Sequence, residues 1–141
     1  MGEGDTGAAV TVPMSGILEA AVAGGADPAD AFWVRYFAAA PDAAERMAHM
    51  DEHMRGRMLA SVYDLLTLEA DAATEAAFLN FEIGNHDAYG ARLPMYEALF
   101  AALGSALREC CGGRWQSEWD AAWDARVDGL LTRIEPLARL A

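Results

Sequence analysis

From residue 49 to residue 68 the sequence runs HMDEHMRGRMLASVYDLLTL, in which Met50, Met54, Met58, Val62 and Leu65 recur at intervals of three and four. Only a helix turns such a series to one side, because 3.6 residues complete a turn, whereas a strand would scatter it over both faces. The stretch predicts a long helix with a methionine stripe. The rest of the chain points the same way: 54% of its 141 residues are hydrophobic, Ala is abundant, and β-branched residues and Asn-Gly turns are scarce. That balance favours helices over sheets. An all-α chain of single-domain length is expected, able to bury about two-thirds of its unfolded surface and to enclose a cofactor as well.

The remaining helices follow from caps and breakers. Residues 1–13 read as a flexible tail and 14–141 as the domain. MSGILEAAVAGG offers a short helix with Ile17, Leu18, Ala21 and Val22 on one side and Gly24 and Gly25 as a stop. In DPADAFWVRYFAAAP, Asp27 can cap and Pro28 suits the first turn, with Phe32, Trp33, Tyr36 and Phe37 inward before Pro41 interrupts. PDAAERM reads as a short acidic turn. A helix from about 72 to 86 ends in GNH, and Pro94 opens another with Tyr96, Leu99, Leu103 and Leu107 inward, stopped by CCGG. Ser117 with Asp120 resembles a capping pair for a last helix carrying Trp119, Trp123, Leu130 and Ile134. Six substantial helices and one connecting turn are expected, with no linker long enough to divide them.

Charge narrows the function. The net charge is −12, and every one of the ten basic residues is Arg. Such a chain is repelled by phosphate backbones and anionic membranes, and it has no basic stripe with interleaved aromatics, so nucleic-acid and membrane binding are disfavoured. With no basic-apolar leader and no apolar run of about 18 residues, the expectation is a soluble cytoplasmic protein. Cys110 and Cys111 are adjacent, which suits neither an ordinary disulfide nor a metal site. No nucleophile elbow, phosphate-binding glycine loop or zinc-spaced cluster is present. The acidic runs at 51–52 and 69–75 read as solvated helix ends.

One imidazole stands out. Leu79, Ile83 and His86 recur at helical spacing, so His86 is aimed inward at the end of an apolar stripe. Such a residue is either a core histidine bonded to a backbone carbonyl or a ligand.

The order FWVRYF…P, a long helix, a His closing a shorter helix, P.MY opening the next and a Trp-rich final helix resembles a globin. More narrowly, residues 14–135 resemble bacterial single-domain haemoglobins and the globin domain of flavohaemoglobins. The resemblance implies a three-over-three helical sandwich holding haem b, with His86 as proximal iron ligand. It puts Tyr96, ten residues on, in the proximal pocket, where it bonds near His86 or merely packs. Placing Pro41 on the family's proline brings Met54 to the distal position. Arg57, one turn later, and Arg92 would then serve the haem propionates or lie solvated on the surface.

The same register makes Trp33, Met47, Met54 and Met58 the distal lining, in place of the family's tyrosine, phenylalanine and glutamine or histidine. Trp33 would be the one good donor, unless a slip of register brought His53 inward. Three readings of the methionines stay open: adaptable core filler, axial ligation by Met54, or an apolar pocket that protects bound dioxygen poorly. The family's proximal glutamate has no match in the final helix. The function implied is binding of O2, NO or CO at the iron. A haem enzyme acting on a small organic or nitrogenous substrate and a haem-free regulatory module are the alternatives. There is no flavin or nicotinamide domain, so turnover would need a separate reductase, peroxide or a reactive substrate; a homodimer is compatible with all three readings.

Overall fold

The computed structural model describes residues 14–24, 27–68 and 71–138, so the tail expected at 1–13 and the stop at Gly25 lie outside the described residues. Among them it is all-helical: α1 (Met14–Ala23), α2 (Pro28–Ala39), α3 (Pro41–Arg46), α4 (Glu52–Leu66), α5 (Ala72–Asp87), α6 (Leu93–Cys111), a 3-10 turn (Gly112–Arg114) and α7 (Ser117–Ala138). None of these helices is long and apolar enough to cross a membrane.

Three of the starts are set by aspartates. The Asp27, Asp51 and Asp71 carboxylates accept the backbone N–H of Ala29, Met54 and Thr74 at 2.9, 2.8 and 2.8 Å. Each cap satisfies a donor that the helix itself cannot, a contribution of about 1 kcal/mol. Asp51 also corrects the expected start of the long helix. Its side chain takes the Met54 N–H, so Met50 lies outside the helix although it continues the apolar periodicity.

Two other expectations are corrected. PDAAERM is a helix of its own, because Pro41, read as an interruption, is also well suited to a first turn. Asp120 does not pair with Ser117; its Oδ1 accepts from Arg108 and, at 3.2 Å, from the Trp115 indole. Arg108 also lies 4.9 Å over the Trp115 ring, so the turn between α6 and α7 is held by one cation and one carboxylate.

Helix α6 is the spine of the core, packing against α1, α2 and α7, while α5 packs against α7. Phe32, Ile17, Leu79, Leu103, Leu107, Leu130 and Ile134 are fully buried where these helices meet. The approach of α6 to α7 depends on Gly104, where a Cβ would fall 2.7 Å from the Trp123 indole nitrogen. Cys111 is a buried thiol at the end of α6 and Cys110 is half-buried; both are free, as expected.

Glu75 is not a solvated helix end. It is buried, and its two oxygens pair with Arg126 at 2.8 Å and Arg133 at 2.6 Å. Arg126 donates further to the Leu65 and Leu66 carbonyls at 2.8 and 3.3 Å. One guanidinium thus ties α7 to the start of α5 and closes the end of α4, satisfying carbonyls that have no partner within their own helix.

Candidate functional site

Between these helices lies a cavity of about 470 Å³, within the range of about 300–1,000 Å³ usual for small-molecule sites. Helix α2 gives it Phe32, Trp33 and Tyr36, and α4 gives Met54, Met58, Leu59, Val62 and Leu65. Residues Met47, His49 and Met50 line it from the turn before α4, and Leu79, Ile83 and His86 from α5. Met95, Tyr96, Leu99 and Phe100 close it from α6. Most of this lining is hydrocarbon, thioether or aromatic ring, so water inside finds few partners.

The stripe Leu79, Ile83, His86 faces inward as the spacing requires, with the two aliphatic residues buried and His86 half-buried against the cavity. His86 Nδ1 lies 2.7 Å from the carbonyl of Glu82, one turn earlier on α5. A carbonyl can only accept, so in the neutral ring Nδ1 carries the proton and Nε2 carries the free lone pair. Nε2 has no hydrogen-bond partner among the described residues. A neutral imidazole fixed through one nitrogen, with the other free, is the form in which histidine ligates metals. No group of three or more His, Cys, Asp or Glu is placed to hold a metal ion among the described residues.

Trp33, Met47, Met54, Met58, His86 and Tyr96 all line this one cavity. Met54 is the outlier in burial, 43% exposed, and sits on the rim. The two arginines do not join them. Arg57 is exposed on α4 outside the lining, where its carbonyl accepts from the Ser61 hydroxyl. Arg92 is exposed before α6 and lies 3.7 Å from Asp87. His53 is exposed as well and does not reach the cavity.

Sequence reasoning missed the polar groups that do reach it. Arg46, at the end of α3, lines the cavity and donates to the Tyr89 carbonyl at 3.3 Å. It lies so close over Gly90 that a Cβ there would fall 2.5 Å from Arg46 Nη1, and Gly90 has φ of +86°, which favours glycine in any case. Among the described residues Arg46 has no carboxylate partner, in a chain with 22 acidic residues. His49, an imidazole, also lines it. The only signal for either was adjacency to Met47 and Met50, since α3 was read as a turn.

Tyr36 and Tyr96 add two phenols. The Tyr96 hydroxyl is buried without a hydrogen-bond partner, and the Tyr36 hydroxyl has none among the described residues. Burial pushes Tyr36 up to about 12. It raises Tyr96 further, with Tyr36, Asp87 and Glu82 adding to the effect. Both therefore remain neutral donors at physiological pH.

No family model, no curated protein and no solved structure matches this chain.

Proposed function

We propose that the chain is a globin-like haem protein that holds haem b through His86 Nε2 and binds O2, NO or CO at the iron. The observation that carries this reading is the His86 Nδ1–H bond to the Glu82 carbonyl, which leaves a free imidazole lone pair beside an apolar cavity. The residues present fit the group. Its hydrocarbon body matches walls of Met, Leu, Ile and aromatic side chains, and the guanidinium of Arg46, free of carboxylates among the described residues, suits an acidic edge at the cavity mouth. Arg46 takes over the role that the resemblance gave to Arg57 and Arg92.

When bound, haem supplies an iron with one coordination position for a diatomic ligand. The chain's own residues do the rest. Glu82 fixes the His86 tautomer and ring direction, so that the lone pair need not be reoriented on binding. Phe32, Leu79, Ile83 and Phe100 exclude water. Trp33, Met47 and Met58 line the cavity from α2, the turn before α4 and α4, and Met54, on the rim, would line it rather than hold the iron. The phenol of Tyr36 lines the cavity with the Trp33 indole, so an occupant would meet two neutral donors there in place of the single one expected from the sequence.

Reconstitution with haemin tests the proposal. Wild type should take up one equivalent and show a Soret band, and His86→Ala should lose most of it and recover it with added imidazole. Arg46→Ala should bind with lower affinity while keeping the same spectrum. Wild-type protein that stays colourless in excess haemin refutes the reading and leaves a haem-free module.

A further inference from the structure

Among the described residues, the outer face of α5 differs from the other helix surfaces. Its exposed positions, among them Ala73, Ala77, Asn80, Phe81, Gly84 and Asn85, include no charged residue. Each of the other six helices exposes at least one: Glu19, Asp30, Asp42, Glu52, Glu97 and Glu118 are examples, in chain order. In a chain of net charge −12, a full helix face without a carboxylate is the exception. Of the other carboxylates on or beside the helix, Glu75 is buried, Glu82 is half-buried on the flank that meets the cavity, Asp71 is turned to its own cap bond with Thr74, and Asp87 is half-buried beside Arg92.

The face also has relief. Phe81 stands 66% exposed, a large apolar ring in water. One turn further on, Gly84 leaves a notch in which a Cβ would meet nothing within 4 Å. Its backbone is helical and does not need glycine, and glycine weakens a helix interior. Among the described residues nothing packs against it to explain its presence.

We propose that the α5 face is a self-association surface, on which two copies of the chain pair about a two-fold axis with Phe81 of each seated near Gly84 of the other. A knob and a notch on the same face are what an isologous interface requires, since the same patch must serve as both partners. Charge selects the occupant. A basic partner would bind the acidic faces, whereas a second copy, equally acidic, is repelled everywhere except where neither molecule presents a carboxylate. The area sets the strength. A helix of 16 residues is about 24 Å long and about 10 Å across, so its face offers about 240 Å² on each copy and pairing along it stays below the lower limit of about 1,200 Å² for specific, stable interfaces. Association is therefore reversible and concentration-dependent. Neither the geometry nor the test depends on haem.

Sedimentation velocity of the purified chain from about 10 µM to about 1 mM tests the proposal over the range expected of so small an interface. Wild type should shift from monomer towards dimer, and more so at higher salt, which screens the net repulsion. Phe81→Glu and Gly84→Leu should each remain monomeric throughout with an unchanged helical circular dichroism spectrum. Val34→Glu, which changes an equally exposed apolar residue on α2, should dimerise as wild type does. A wild type monomeric at the highest concentration, a dimer that survives both α5 substitutions, or one that Val34→Glu abolishes overturns the proposal.

Discussion

Replacing Arg126 by Met should destabilise the protein more than any other single surface-accessible change. Its side chain is only 22% exposed and that of Glu75 8%, so the pair is largely out of water. The substitution removes the 2.8 Å ion pair and both hydrogen bonds to the end of α4, while Met keeps most of the aliphatic stem. Breaking a buried pair from one side costs about 3–5 kcal/mol because the other charge is stranded. Arg133 still reaches Glu75 at 2.6 Å, but with a side chain 48% exposed it offsets only part of the loss, which leaves a net cost of about 3 kcal/mol. At this chain length that lowers the melting temperature by roughly 10 °C. Adding Glu75→Leu to Arg126→Met removes the stranded carboxylate and should recover about 1–3 kcal/mol, so the two changes are strongly non-additive. Urea unfolding of the four proteins of the cycle measures this. A cost below about 1 kcal/mol for Arg126→Met, or no recovery in the double variant, refutes the reasoning that a buried charge is what the arginine protects.

Gly104→Ala should cost about 1–3 kcal/mol by forcing the Trp123 indole away, whereas Gly84→Ala should stabilise the dilute protomer by roughly 0.5–1 kcal/mol; thermal melts of the two alanine variants read opposite signs. Tyr96→Phe should leave the ligand-free protein equally stable or about 1 kcal/mol more stable, because it deletes a buried hydroxyl that has no partner, and a clear loss in the melt would show that the hydroxyl is satisfied. Burial raises Tyr36 and Tyr63 to about 12 and raises Tyr96 as well, so the native state holds these protons when the unfolded chain releases them. Stability is unaffected below the ordinary tyrosine value near 10 and falls as pH rises from there through about 12, which a pH series of melting temperatures beside the tyrosinate absorbance would follow; buried tyrosines that ionise near pH 10 without unfolding would contradict it.

The local signals were legible where one residue performs one task. Asp27 with Pro28 opened α2 as read, and the series Leu79, Ile83, His86 pointed inward. Legibility failed where a residue has two roles or a distant partner. Pro41 ends one helix and begins the next, and only the first role was read, which hid α3 and with it Arg46. Met50 continues an apolar period across a start fixed by the Asp51 cap. Glu75 looked like a member of an acidic run because its neutralising partner, Arg126, lies on another helix far along the chain. For the cavity, the resemblance assembled Trp33, Met47, Met54, Met58, His86 and Tyr96 around one space. Arg57 and Arg92 lie outside the lining, as the surface alternative had them, and Arg46 lies within it, since a register alignment fixes sequence distance and not which side chain reaches over Gly90.

The bond that aims His86 closes within a single turn at the very end of α5. Its carbonyl partner belongs to Glu82, and the turn after it is held by the Tyr89 and Ala91 N–H groups on the His86 carbonyl and by Arg46 on the Tyr89 carbonyl. Helix ends are the regions that open at the lowest free energy, well below global unfolding. Fraying of this one turn abolishes the tautomer, the ring direction and the Arg46 contact together. Any occupant gripped through Nε2 must therefore slow amide hydrogen exchange between residues 82 and 91 by linkage, and its own escape can proceed through that same opening while the rest of the core stays folded.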